Sequence, residues 1–236
     1  MTTALPGAIP SPVSPRSRDE VETVADLIEQ LGGIPAFRIR MKPLPGTATE
    51  QDVIELEARE DRLFELIDGI LVEKGMGFKE SLIAAFLIEV IRAFVRQRKL
   101  GLVTAPDGFM RLTARRVRIP DVAYVSWGNV PGGRVPKEPI PSLVPDLAIE
   151  VLSESNTRKE MATKRRDYLG NGSKLVWEVS PDERTVDVYC DPKDPDRAQR
   201  LSEGDVIDGG DVLPGFSLPL RDIFAVLDEE APDALP

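Results

Sequence analysis

The strongest constraint on the fold is a pair of acidic residues placed inside apolar, strand-like runs. Asp121 follows Ile119-Pro120 and opens Val122-Ala123-Tyr124-Val125, while Glu150 closes Leu147-Ala148-Ile149 and is followed by Val151-Leu152. Short apolar runs bounded by turn residues read as buried strands. A carboxylate is costly to bury there unless it is paired or bound to a cation. Two such acids on neighbouring strands, with Lys164 in the segment behind them, predict a divalent-metal site suited to phosphodiester hydrolysis. A plainer reading uses the same residues: Asp121 caps the entrance of its strand, and Glu150 pairs with an arginine.

The residue types that are missing narrow the chemistry further. The chain has no histidine, which excludes histidine triads, histidine general bases and histidine-ligated zinc or iron. Cys190 is the only cysteine, so there is no disulfide framework and no thiolate cluster, as suits a reducing cytoplasm. No window approaches ~18 uninterrupted apolar residues, and the first residues show no signal-peptide pattern, so a cytoplasmic protein without membrane contact is expected. There is no G-x-x-x-x-G-K-[ST] loop and no G-x-S-x-G elbow. Gly75-Met76-Gly77 lacks the third glycine of a dinucleotide fingerprint, and Ser153 has no histidine to activate it. Acid and lysine chemistry remains, with Asp121, Glu150, Glu65 and Lys164 as the best-placed groups.

Charge is unevenly spread. The net charge is −10, yet residues 91–170 carry 15 Lys/Arg against 8 Asp/Glu, a net of +7, and the remainder carries −17. The basic excess coincides with the segment holding the candidate site, and for a polyanionic substrate local field outweighs total charge. Arg92, Arg96, Arg98 and Lys99 also read as a solvated helix face.

Periodicity divides the chain. Residues 1–18, rich in Pro, Ser, Ala and Thr, read as a flexible tail. Residues 19–44 read as an N-terminal helix (Asp19–Leu31, stopped by Gly32-Gly33) and a short strand (Ala36–Met41). Residues 45–228 form the main domain, and residues 229–236 a frayed end. Within the main domain, Thr49 and Asp52 form a capping-box-like start to a helix through Glu60. Asp68-Gly69 between two apolar runs predicts a hairpin. Leu82, Ile83, Phe86, Leu87, Val90, Ile91, Phe94 and Val95 make the apolar stripe of a long helix. Strands follow at Leu102–Thr104, Phe109–Leu112, Val122–Val125 and Leu147–Leu152, then a helix at Arg158–Leu169. Two more strands come at Leu175–Val179 and Thr185–Tyr189, before a strand pair and a terminal helix. The Pro/Gly-rich loop 127–145 is long enough to be functional. No repeat and no second core is evident, so an α/β domain on one mixed sheet is expected.

Several of these stretches, in order and spacing, resemble one family. They are Phe64-Glu65-Leu66-Ile67-Asp68-Gly69, Ile119-Pro120-Asp121-Val122-Ala123, Glu150-Val151-Leu152-Ser153, and Lys164 followed by Tyr168 and later Trp177. They look like the bacterial Uma-two family of restriction-endonuclease-like proteins, in the PD-(D/E)XK nuclease superfamily, over residues 45–225. The resemblance implies a restriction-endonuclease-like mixed β-sheet flanked by helices, and a metal-dependent endonuclease acting on DNA. Asp121 would be the motif aspartate and Glu150 the motif glutamate. Leu152 stands where the parent motif has lysine, which points to Lys164 on the following helix, and Glu65 would add an acid. The histidine often found early in the family's long helix is absent here, where Lys79 and Glu80 stand. Hard oxygen ligands suit Mg²⁺ or Mn²⁺, held by Asp121 and Glu150 with the Val151 backbone carbonyl as a third ligand. Tyr168 and Trp177 read as core packing. Cutting both strands of a duplex needs two sites, so a homodimer is expected. The alternative function is a catalytically silent nuclease-like fold that binds DNA or a partner protein.

Overall fold

The computed structural model describes residues 21–75 and 77–230. The tail expected at 1–18 lies outside the described residues, as do positions 231–236 of the expected C-terminal end. In chain order come α1 (Val24–Gln30), a one-turn 3-10 helix (Ala36–Arg38), β1 (Ile39–Arg40), α2 (Glu50–Glu60), β2 (Phe64–Ile67), β3 (Ile70–Glu73) and α3 (Phe78–Arg98). Next are β4 (Gly101–Thr104), β5 (Met110–Thr113), β6 (Arg116–Arg118), β7 (Val122–Ser126), β8 (Leu147–Val151) and α4 (Arg158–Gly170). The chain continues with β9 (Leu175–Ser180), β10 (Thr185–Tyr189), β11 (Gln199–Ser202), β12 (Val206–Gly209), β13 (Leu213–Pro219) and α5 (Leu220–Ala225).

Local chemistry sets these boundaries. Thr23, Thr49 and Thr157 each open a helix through a reciprocal capping box, with Asp26, Asp52 and Glu160 respectively. Each such cap contributes about 1 kcal/mol. The first helix therefore begins at Val24, later than the expected Asp19. The β2–β3 turn has Asp68 at φ 51 and Gly69 at φ 83, the left-handed pair a tight hairpin needs. A Cβ at Gly69 would also lie 2.4 Å from the Gly46 carbonyl oxygen. The expected strand at 36–41 is mostly a 3-10 turn, because Arg38 turns inward to a two-pronged pair with Glu160 at 3.0 and 2.8 Å.

The strands form two principal sheets, where one was expected. The first is antiparallel with order β1-β3-β2-β6-β5. The second, β11-β10-β9-β8-β7-β4, is antiparallel except for the parallel β8–β9 pair that α4 bridges. A separate hairpin joins β12 to β13. The chain leaves the first sheet at Arg118 and enters the second at Val122, through Ile119-Pro120-Asp121. Pro120 has no N–H with which to continue a ladder, so the sheets part there.

Strand alternation then fixes which side chains meet. Val122, Tyr124, Leu147, Ile149, Val151 and Trp177 face α3 and α5 in one core. Ala123, Val125, Ala148 and Val176 face Tyr168 and Leu169 of α4 in another. The same alternation carries Asp121, one residue before β7, and Glu150, within β8, to the α4 face. Arg92, Arg96 and Arg98 on α3 and Lys99 at its C-terminal cap are exposed, across the sheet from that face. The loop 127–145 is mostly exposed and is pinned at a few points, with Val130 and Leu143 in the α4-side core and Ile140 in the core of the first sheet.

Candidate active site

Helix α4 has a buried stripe that is mostly polar: Glu160, Met161, Lys164, Arg165, Tyr168 and Leu169. Such a stripe is tolerable only against complementary charge. The sheet supplies it. The parallel register sets Glu150 beside Glu178, both on the face toward α4. Lys164 Nζ donates to Glu150 Oε2 at 2.8 Å and lies 3.4 Å from Glu65 Oε1 on β2. The Tyr168 hydroxyl donates to the other Glu150 oxygen at 2.7 Å. Arg165 donates to Glu178 at 2.7 Å.

Asp121 sits at the seam between the sheets. Its Oδ2 accepts the Val151 N–H at 2.7 Å, closing the end of β8 where β7 has not yet begun. Its Oδ1 takes the ammonium of Lys74 at 2.7 Å, and that ammonium also donates to the Ile119 carbonyl. Glu65 completes the cluster, accepting Arg118 Nη1 at 2.7 Å and the Ile119 N–H at 3.2 Å. Arg118 is shared with Asp167, its Nε at 2.8 Å. All four acids and bases singled out in the sequence thus meet in one cluster. Val151 enters it through its N–H. The plainer expectation is also visible, since Asp121 does cap a strand end. Glu150, however, pairs with a lysine where an arginine was expected.

Burial magnifies these charges. Desolvation alone would raise the Glu65 carboxyl, but Lys164, Arg118 and Lys74 outweigh it and hold Glu65 well below the usual carboxylate range. Glu150 shifts the other way: burial raises it, and the Asp121 and Glu65 charges add to that against Lys164 and Lys74. Burial would lower Lys164, yet Glu150 and Glu65 raise it above the ordinary lysine value. The Tyr168 hydroxyl is pushed well up, by burial first and by the Glu150 and Glu65 charges next.

Two residues of the cluster escape a reading of the sequence. Lys74 lies in a loop-like stretch next to Gly75, with no periodicity to mark it; its one signal is a lone cation directly after an apolar hairpin strand. Arg118 is legible only from the alternation of Arg116-Val117-Arg118-Ile119, in which Val117 and Ile119 are core. Tyr168 does pack in the core and also touches Glu150, whereas Trp177 is core alone, beside Phe216. Of the basic excess of residues 91–170, Lys164 and Arg118 reach the cluster, whereas Arg111, Arg116 and Arg165 pair with acids outside it.

Cation chemistry can be tested against these donors. Among the described residues no group of three His, Cys, Asp or Glu is arranged as a metal cage. The Asp121 and Glu150 donors are nevertheless all hard oxygens, and Mg²⁺ needs only one or two carboxylates besides water and substrate phosphate. The donor set fits such an ion.

A family model described as "Putative restriction endonuclease", Uma2, matches residues 50–221. The chain belongs to the Uma2 family. Asp121, Glu150, Lys164, Glu65 and Lys74 all fall inside the matched span, while Arg38 lies before it. Among solved structures, this Uma2 member is similar to "a putative nuclease belonging to DUF820" from Anabaena variabilis, with 22% identity and a TM-score of 0.63. The likeness covers 71% of this chain and 92% of that one. It shows the fold, which is restriction-endonuclease-like. No curated protein matches the chain. No helix among the described residues is long and apolar enough to cross a membrane.

Proposed function

We propose that this Uma2 protein is a Mg²⁺- or Mn²⁺-dependent endonuclease that hydrolyses DNA phosphodiester bonds at Asp121 and Glu150. The carrying observation is that both carboxylates project from adjacent strands onto one face, with the Lys164 ammonium 2.8 Å from Glu150. When bound, the ion supplies positive charge against the phosphoryl oxygens and acidifies water. Asp121 and Glu150 would hold it, with the Val151 carbonyl as a third ligand.

The remaining roles belong to side chains. Lys164 is held above its ordinary pKa by two carboxylates, so at neutral pH it is an ammonium. It therefore donates a hydrogen bond and positive charge toward a phosphate and does not serve as a general base. Glu65 fixes that ammonium from the other side, and Arg118 fixes Glu65. Tyr168 holds the free oxygen of Glu150, leaving the carboxylate one orientation.

A second reading is supported by burial. Asp121 and Glu150 are each 4% exposed, and their oxygens all have partners inside the protein. That favours a silent fold which binds DNA or a partner. Supercoiled plasmid separates the two readings. Cleavage that requires Mg²⁺ or Mn²⁺, stops with EDTA and falls at least about a hundredfold in Glu150→Gln supports the endonuclease. DNA retardation without any cleavage supports the silent fold.

A further inference from the structure

We propose that Lys74 is the internal counter-ion of the metal site, its ammonium holding Asp121 in the ion-free protein and competing with a divalent cation for that carboxylate. The inference rests on the metal reading of Asp121 and Glu150 above. Its basis is the pair of atoms that Lys74 Nζ touches: a carboxylate oxygen of Asp121 at 2.7 Å and the backbone carbonyl of Ile119. These are the two kinds of oxygen that a hard divalent cation takes. The Lys74 side chain is 5% exposed, so this contact is interior and is not weakened by water as a surface pair would be.

The division of labour between the lysines supports the assignment. Lys164 is already committed to Glu150 and Glu65, and Tyr168 and Arg118 lock those two acids in turn. Lys74 pairs with Asp121. Displacing Lys74 therefore frees one carboxylate oxygen and leaves the Lys164 arrangement intact. The local charge agrees: Glu65, Asp121 and Glu150 outnumber Lys74 and Lys164, while Arg118 is shared with Asp167. A dication that enters without Lys74 leaving would overcharge the pocket, so exchange is favoured over addition.

The chain around Lys74 permits that exchange. Its backbone N–H is tied to the Leu63 carbonyl at 2.9 Å, so the main chain is anchored at the end of β3. Directly after it comes Gly75, and Gly77 opens α3 without a side-chain cap. The long lysine stem hangs from a fixed root, and the residue directly after it, Gly75, carries no side chain.

The experiment titrates Mn²⁺ alone into the full chain by calorimetry, comparing wild type with Lys74→Met, which keeps the stem and removes the charge. Removing a competing cation from a buried carboxylate is expected to tighten the Mn²⁺ dissociation constant at least about tenfold. Melting curves give the same exchange a second signature: the variant melts below wild type in EDTA and gains more from Mn²⁺. Should the variant not purify, amine labelling of wild type read by mass spectrometry replaces it. Lys74 is then expected to be protected in EDTA and to become reactive with Mn²⁺. Equal or weaker Mn²⁺ affinity in Lys74→Met, or Lys74 labelling unchanged by Mn²⁺, overturns the counter-ion role and leaves the metal site standing. Failure of both proteins to bind Mn²⁺ overturns the metal reading itself.

Discussion

Arg118→Met is the sharpest probe of how the cluster is held together. Arg118 and Glu65 are each 1% exposed, so the substitution strands a buried carboxylate. Breaking one side of a buried ion pair costs about 3–5 kcal/mol. Two features place this case near the low end. Glu65 keeps Lys164 at 3.4 Å and the Ile119 N–H at 3.2 Å, while Asp167 keeps Arg116 at 3.1 Å. A loss of about 3 kcal/mol is expected, and for a chain of this size it lowers the melting temperature by about 6–12 °C. The pH dependence adds a check. In wild type Glu65 is held below its unfolded value, so its stabilisation is present above the unfolded pKa and is lost as pH falls through the folded one. In the variant the Glu65 pKa rises, and on acidification Glu65 becomes neutral and its less fully compensated charge disappears. The stability gap between the two proteins should therefore narrow below about pH 4. Urea unfolding at pH 7 and pH 3.5 measures it. A gap under about 1 kcal/mol at pH 7, or one that widens on acidification, refutes the reasoning.

Other substitutions test separate parts of the account. Gly32→Ala places a Cβ 2.6 Å from the Glu160 nitrogen at φ +89, so a loss of at least about 1–2 kcal/mol is expected in urea unfolding. Tyr168→Phe removes the hydroxyl from Glu150 and should lower the unfolding free energy by about 1.5–3 kcal/mol while keeping the core filled. Asp121→Asn should abolish Mn²⁺ binding by calorimetry and also destabilise the ion-free protein, because Lys74 loses its counter-charge.

Much of the fold is written locally, and the parts that are not share a cause. The capping Thr-x-x-Asp at 49–52, the Asp68-Gly69 turn and the α3 stripe depend on neighbours within a few residues, and each forms where its pattern predicts. The split into two sheets depends on β6, whose Arg116 and Arg118 are matched by Asp68, Glu65 and Asp167. Those partners lie far away in sequence. The acids of the candidate site were legible because an acid inside an apolar strand breaks a strong pattern. Lys74 breaks no pattern, since a lysine before a glycine looks like any solvated turn; only the return of the chain at Ile119-Pro120-Asp121 makes it interior. The polar stripe of α4 was half legible, Lys164 and Tyr168 standing out through the resemblance to the family and Arg165 through nothing in the sequence.

Crystals soaked in Mn²⁺ test the proposed divalent-metal site at Asp121 and Glu150, through anomalous scattering. One anomalous peak is expected between the Asp121 and Glu150 carboxylates, with the Lys74 ammonium displaced from Asp121. An anomalous map with no peak there, and Lys74 still seated on Asp121, would contradict it.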